Sequence, residues 1–118
     1  MKYLLLVCWD AEHMNAQVEP DPAEAPAEDE EKNMPWIEEL GEAWITGDQL
    51  APPRRAQTVR VRGGKPLVTD GPFAETKEAL GGFYVIEADS PGEAEQIAAR
   101  VPSARMGGTV EVRPVVQR

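Results

Sequence analysis

Two short apolar segments near the two ends of the chain constrain its fold more than any other feature. Tyr3 to Trp9 has the sequence YLLLVCW, and Gly82 to Ala88 has the sequence GFYVIEA. Apolar residues occupy both alternating faces of each segment, which is the pattern of a strand covered on both sides. The first is also too short to span a bilayer. The two segments therefore predict central strands of one buried sheet.

A first helix is predicted from Asn33 to Thr46. Asn33 is a suitable cap, Pro35 falls in the first turn, and apolar residues follow at helical spacing: Trp36, Leu40 and Trp44. Gly47 would end the helix. Gly41 lies inside this span and costs about 1 kcal/mol relative to alanine in a helix, so close packing or an early break is expected there.

The remaining elements follow from shorter signals. Gln57 to Arg62 alternates as a half-buried strand, Gly63-Gly64 predicts a hairpin turn, and Pro66 to Thr69 returns as a short strand. Ala74 to Ala79 is predicted to form one helical turn. A second helix begins with Ser90 as cap and Glu93 in a capping box and ends at Pro102, and Thr109 to Val116 forms a strand in which Pro114 indicates an edge position.

The order β-α-β-hairpin-β-α-β predicts one α+β domain over residues 1–118 with a ferredoxin-like βαββαβ fold. This fold places two helices on one face of a four-stranded antiparallel sheet, here with a β-hairpin extension. The other face then needs a cover, because the central strands are apolar on both faces. Face-to-face packing of two sheets in a homodimer, a dimeric α/β barrel-like assembly, would supply it.

Charge and composition exclude several classes of function. The formal net charge is -9, which argues against binding to nucleic acid or to an anionic membrane. Much of the acidic excess lies in residues 17–33, which also contain three prolines and are predicted to form a mobile insert. Cys8 and His13 are the only residues of their types. No signal peptide or cofactor motif is present, so a cytoplasmic protein without metal or organic cofactor is expected.

The stretch from Val68 to Tyr84 is the candidate ligand site, because it places a turn, aromatics and charges between two apolar runs. Asp70 at the strand end is the candidate catalytic residue, as a general base or a ligand for a cation. Its alternative role is to fix the Asp-Gly-Pro turn. Glu75 and Glu78 form at most a weak metal signal, and a salt-bridged turn is favoured. The candidate ligand-binding residues of the stretch are Asp70, Gly71, Pro72, Phe73, Glu75, Lys77 and Tyr84.

Two arginines outside this stretch complete the set of candidates. Arg60 alternates with valines on its strand, and Arg113 shares one face of the last strand with Glu111. If the two faces meet, they form an Arg–Glu network that is either structural or an anion-binding wall. The structural interpretation is favoured.

The chain resembles the DGPF group of YCII-related proteins. The resemblance rests on the blocks KYLLLV at the start, Thr58-Val59-Arg60, Val68 to Tyr84, Glu93-Ala94 and Val110 to Pro114. It implies a ferredoxin-like dimer with a cleft near the Asp-Gly-Pro-Phe loop and small-molecule acid–base chemistry. The short branch of the family carries a histidine on its first helix, where this chain has residues 34–38, Met-Pro-Trp-Ile-Glu. Asp70 would therefore act without that partner.

Three functional hypotheses follow. The first is a small-molecule enzyme of lyase or isomerase type, in which Asp70 is the base and Arg60 or Arg113 stabilises an oxyanion. Phe73 and Tyr84 would line its pocket. The second is a non-catalytic ligand-binding or regulatory dimer. The third assigns the loop only a role in building the dimer interface.

Overall fold

The computed structural model describes residues 1–16, 35–74 and 76–117. The chain begins with β1 (Lys2–Asp10) and α1 (Ala11–Ala16), and the described part resumes with helix α2 (residues 35–40). The predicted acidic insert at 17–33 lies outside the described residues. The later elements, in order, are β2 (Trp44–Gln49), β3 (Gln57–Arg62), β4 (Lys65–Asp70), β5 (Glu78–Glu87), α3 (Pro91–Ala99), α4 (Pro102–Arg105) and β6 (Thr109–Pro114).

Four strands form one antiparallel sheet in the order β2-β5-β1-β6. The two apolar segments, β1 and β5, are its central strands, as predicted, and β6 is an edge strand. This architecture is α+β with the helices on one side, and it is compatible with the ferredoxin-like arrangement. β3 and β4 pair only with each other, in a second sheet of two strands.

The core lies between the four-stranded sheet and the helices. β1 contributes Tyr3, Leu5 and Val7, while Ile86 comes from β5. The helices contribute Trp36, Ala94, Ile97 and Ala98, and two buried residues lie just outside helices and strands: Ala88 after β5 and Val101 before α4. On the opposite side of the sheet, which we call the open face, Leu4 and Leu6 of β1 are half-buried beside Phe83 and Val85 of β5. The structure therefore confirms the apolar residues on both faces of the central strands.

The predicted helix from Asn33 to Thr46 is wrong in its second half. The helix ends at Leu40, Gly41 takes a left-handed conformation with φ of 55°, and a short 3₁₀ turn leads into β2. Trp44 still packs on the core, but it does so from a strand that pairs with β5. Trp44 can face the core from a helix or from a strand, and both are consistent with the apolar spacing. The spacing alone therefore did not distinguish a helix from a strand here. Gly47 lies within β2 and is not a helix stop.

Two other local predictions need correction. Residues 76–77 are not helical, and β5 begins at Glu78, so the helical turn at 74–79 does not form. The strand at Gln57 to Arg62 is not half-buried: Val59 and Val61 are each 60% exposed. The hairpin turn at Gly63-Gly64 is confirmed, and both glycines have positive φ, as a type I′ turn requires.

The start of the second helix is confirmed in detail. Ser90 Oγ accepts a hydrogen bond from the Glu93 backbone N–H at 3.2 Å, and Pro91 is the first helical residue. The Glu93 carboxylate accepts a hydrogen bond from the Asp89 N–H at 2.8 Å, one residue before the cap. The same residues therefore satisfy two exposed backbone donors, as in a capping box.

Candidate functional site

The Asp-Gly-Pro turn is held by backbone atoms. Asp70, the last residue of β4, pairs with Gln57 of β3. The Gly71 N–H donates to the Ala56 carbonyl at 2.7 Å, and the Thr58 hydroxyl donates to the Gly71 carbonyl at 2.7 Å. Within the described part of the chain, no hydrogen bond engages the exposed Asp70 carboxylate. The turn is thus fixed without this side chain, which is presented to solvent.

The rest of the loop is also solvent-facing. Phe73 is 80% exposed, and Pro72 and Lys77 are exposed as well. The Ala11 N–H donates to the Lys77 carbonyl at 2.9 Å, which ties the end of the loop to the start of α1. Glu75 lies outside the described residues. The Phe73 ring is therefore accessible from solvent at the surface of this loop.

The loop ends beside a group of polar residues on the open face. Glu78 begins β5 opposite Asp10, and Cys8 lies opposite Leu80 on β5 and Thr109 on β6. Directly opposed residues of antiparallel strands point to the same side. The Thr109 hydroxyl donates to Glu78 Oε1 at 3.2 Å across the intervening strand. We call the carboxylates around Cys8 the acid corner: Asp10, Glu78 and Glu111.

The acid corner changes the chemistry of the thiol between its members. Burial first, and then the charges of Glu78 and Glu111, raise the pKa of the Cys8 thiol. Cys8 is a free cysteine and is half-buried on the open face. A thiol that keeps its proton is a weak nucleophile, so this cysteine serves better as part of a surface than as a reactive group.

The structure brings the predicted site residues together only in part. Gly71, Pro72, Phe73 and Lys77 share the loop after Asp70. Tyr84 points to the helix side, where its ring packs on Trp36 with centroids 4.9 Å apart. It lies six residues from Glu78 along β5, a distance of about 20 Å. Phe73 and Tyr84 therefore do not line one pocket within a single copy.

The two candidate arginines lie on different sheets. Arg113 Nε forms an ion pair with Glu111 at 2.9 Å on β6, so the predicted contact on this face is present. Arg60 is on β3, in the two-stranded sheet, and does not join that pair. An Arg–Glu network that includes both arginines does not form within one copy of the described chain.

The sequence did not indicate that residues of other strands lie beside the loop on the open face. Cys8 was predicted only as part of a buried central strand, and Glu78 as part of a helical turn. The alternation of β1 does place Cys8 and Asp10 on the same face as Leu4 and Leu6. The register with β5 and β6, which only the folded structure supplies, brings Glu78 and Glu111 beside them.

A separate cleft of about 460 Å³ lies on the helix side, between α2 and α3. Its lining includes Glu39, Leu40, Glu93, Gln96 and Arg100, and none of the predicted site residues. Within the described residues, no group of three His, Cys, Asp or Glu side chains is arranged to hold a metal ion. No described helix has the length and apolar character that crossing a membrane requires.

Comparison with known proteins places the chain in a family. It is 46% identical over 68 residues to an uncharacterised protein of Rhizobium meliloti, and the match covers 57% of this chain and 55% of that protein. The chain thus aligns with about half the length of this relative. The YCII-related domain matches all of residues 1–118. The chain belongs to the YCII-related domain family.

Proposed function

We propose that the protein is a cytoplasmic, homodimeric small-molecule enzyme of lyase or isomerase type. Its cleft lies where the Asp70–Lys77 loop meets the open face of a sheet covered by a second copy in a barrel-like assembly. The observation that carries the proposal is the Asp70 carboxylate, exposed at the end of β4 in a turn that the backbone of Gly71 already fixes. A carboxylate that has no structural task is available to a ligand.

The chemistry follows from the groups at this end of the molecule. Asp70 would remove a proton from an acidic carbon of the substrate and hold it on the carboxyl oxygen. A neighbouring cation would stabilise the oxyanion that forms, and Phe73 would shield the reacting atoms from water. Arg113 is engaged by Glu111, so Arg60 and Lys77 are the stronger candidates for this cation.

The dimer is supported by the open face of the sheet. Its centre consists of Leu4, Leu6, Phe83 and Val85, which are half-buried, while the buried core lies on the other side of the sheet. An apolar surface of this kind at the middle of a sheet is stabilised when another apolar surface covers it. A second copy supplies such a surface through two-fold symmetry.

A non-catalytic ligand-binding or regulatory dimer is the alternative. The observation that favours it is the position of His13, the only histidine. It lies on α1, with its ring 6.3 Å from Trp9, and the structure describes no hydrogen bond between it and the Asp70 carboxylate. This reading requires ligand binding without turnover.

A thermal-shift screen with small carboxylates, hydroxylated aromatics and divalent cations tests the proposal. A ligand at 100 times its Kd adds about 2.7 kcal/mol of stability. The shift should be lost in Asp70→Asn. Asp89→Asn is the matched control, because Asp89 is an exposed aspartate beyond the opposite end of β5, about 30 Å from Glu78.

Hits are then assayed for turnover. Binding and turnover that Asp70→Asn abolishes, with Asp89→Asn unaffected, support the enzyme. Binding that survives Asp70→Asn, without turnover by the wild type, supports the binding module. Loss of folding in Asp70→Asn alone contradicts both and assigns the residue to the structure of the turn.

A further inference from the structure

The β3–β4 hairpin, which we call the arm, is a basic segment in an acidic protein. Between Gln57 and Asp70 the single acidic residue is Asp70, at the end of β4, although the chain has 21 Asp and Glu. The same residues contain Arg60, Arg62 and Lys65, and Arg54 and Arg55 lie just before them, which together make five of the 12 Lys and Arg. A charge distribution this uneven creates a local positive field, which attracts a negatively charged partner.

The arm also has one apolar face and one basic face. In its register Val59 pairs with Val68 and Val61 pairs with Pro66, so these four side chains share a side. The other side holds Arg60 opposite Leu67 and Arg62 opposite Lys65. Every residue of both strands except Thr58 is exposed, and Val68 is 60% exposed.

A ribbon of two strands is marginally stable in water without something packed on it. In the described part of this chain nothing covers either face of the arm, and β3 and β4 pair only with each other. Its base is fixed, because Arg54 donates two hydrogen bonds to Asn15 at the end of α1, at 2.8 and 3.1 Å. The arm is thus a firmly attached projection with an uncovered apolar side.

The open face offers a surface of matching character at the end from which the arm projects. Cys8 and Leu80 form an apolar spot there, and the acid corner surrounds it. The arm has the reverse charge, which Arg60, Arg62 and Lys65 carry on the face opposite its valines. Opposite charges on two surfaces steer them together and fix their relative orientation.

We propose that the arm of each copy docks on the open face of its partner, with the valines on the Cys8–Leu80 spot and Arg60 and Arg62 near the partner's acid corner. This rests on the proposed homodimer and adds that each cleft is incomplete without the other copy's arginines. Arg60 and Arg62 leave the arm on the face opposite the valines, so their long stems have to pass around the edge of the two-stranded ribbon for the guanidinium groups to reach these carboxylates.

The areas involved favour a second copy as the occupant. One face of the arm measures about 20 Å by 10 Å, far below the roughly 800 Å² that each partner of a stable complex buries. The four-stranded open face is about 20 Å on each side and contributes twice that flat area. A partner approaches the required area only if it covers the arm and the open face together. Two-fold pairing of this chain would cover both surfaces.

The first experiment measures the dimer Kd by analytical ultracentrifugation for Val68→Asn and Leu67→Asn. The two residues are neighbours on β4 with similar exposure, but they point to opposite faces of the arm. We expect Val68→Asn to raise the Kd at least tenfold and Leu67→Asn to change it less than about threefold. Equal effects of the two variants, or an intact dimer that Val68→Asn does not weaken, would overturn the proposed docking of the arm. Either result would leave the proposed sheet-to-sheet dimer in place.

The second experiment exchanges charges between the two surfaces. One variant carries Arg60→Glu with Arg62→Glu, and the other carries Glu78→Lys with Glu111→Lys. Each alone should dimerise at least tenfold more weakly, because both of its contacts become repulsive. A mixture should form heterodimers with two attractive contacts, which native mass spectrometry detects. A mixture that stays monomeric, with both variants folded by circular dichroism, would overturn the proposal.

A third measurement distinguishes a second copy from nucleic acid as the partner of the basic face. A fluorescent DNA duplex is titrated with wild-type protein and with the Arg60→Glu, Arg62→Glu variant. No binding by either is expected. Binding by the wild type alone would overturn the proposal and assign the basic face to nucleic acid.

Discussion

At the scale of single residues, Gly47 shows how closely the outer strand approaches its neighbour. A Cβ at this position would lie against the Tyr84 ring and 2.7 Å from the Phe83 carbonyl oxygen. Backbone atoms in a paired strand cannot move away without breaking the pairing. Gly47 is therefore required by space, and not as the helix stop that its sequence context indicates.

We expect Gly47→Ala to lower the free energy of unfolding by about 1–3 kcal/mol, because it overpacks the β2–β5 contact. Urea denaturation provides the measurement. Gly92→Ala is the control, since its added methyl would lie 3.9 Å from the nearest atom, Ser90 Oγ, near the start of α3. An equal loss in both variants would show that Gly47 is not sterically required.

The Cys8 thiol gives a second prediction at this scale. Its pKa is raised, so the folded protein keeps the proton to higher pH than the unfolded chain does. Stability should then fall as the pH rises above about 8.5, the ordinary thiol pKa, and level off above the raised value. The reaction rate with an aromatic disulfide reagent should have its midpoint above that ordinary value.

Glu78→Gln should lower the midpoint only partly, because burial is the larger cause and Glu111 remains. Glu95→Gln, on the exposed side of α3, is the control and should leave it unchanged. A wild-type midpoint at or below the ordinary thiol value is incompatible with this environment for Cys8.

At the scale of elements, local signals predicted the start of α3 and the position of β6 correctly, because these signals are complete within a few residues. The predicted end of the helix at Pro102 was wrong, since α3 ends at Ala99 and Pro102 begins α4. Ser90, Pro91 and Glu93 specify the start of α3 whatever surrounds it, and the alternation around Val110 and Val112 specifies the inward face of β6. Residues 35–49 behave differently. Trp36 and Trp44 both face the core, and only the pairing with β5 decides that the second belongs to a strand.

The cap of α3 supplies the prediction at this scale. Ser90→Ala should cost about 1 kcal/mol, because the Glu93 N–H loses its acceptor at the helix start. Ser103→Ala, within α4, should cost less, since the backbone carbonyl of residue 103, and not its hydroxyl, accepts the local hydrogen bonds. The comparison is made by thermal and urea denaturation, and a larger loss for Ser103→Ala would refute the capping role.

The sequence predicted the part of the candidate site that lies in one continuous segment, but not the positions of the residues that other elements contribute. The loop from Asp70 to Lys77 is a continuous segment, so its residues stay together. Tyr84 lies on the helix side because of the β1–β5 register, and Arg60 lies on an arm that pairs with nothing else in the described chain. Neither position can be predicted from the sequence until the pairing of the strands is known.

At the scale of the whole molecule, the chain separates its charges and carries two apolar surfaces outside its core. The body is acidic and the arm is basic. The valines of the arm are exposed, and the apolar side chains at the centre of the open face are half-buried. If two copies exchange arms, each surface is covered by the other copy. The attraction should be screened by salt, and we expect the dimer Kd to rise as ionic strength increases.

If a second copy covers the open face, one dilution series should show it. Solution mass and the labelling rate of Cys8 are measured together on the same samples. We predict twice the chain mass of 12.9 kDa at high concentration, with Cys8 protected, and faster labelling as the dimer dissociates. A particle of 12.9 kDa at every concentration, with a constant Cys8 labelling rate, would contradict this prediction.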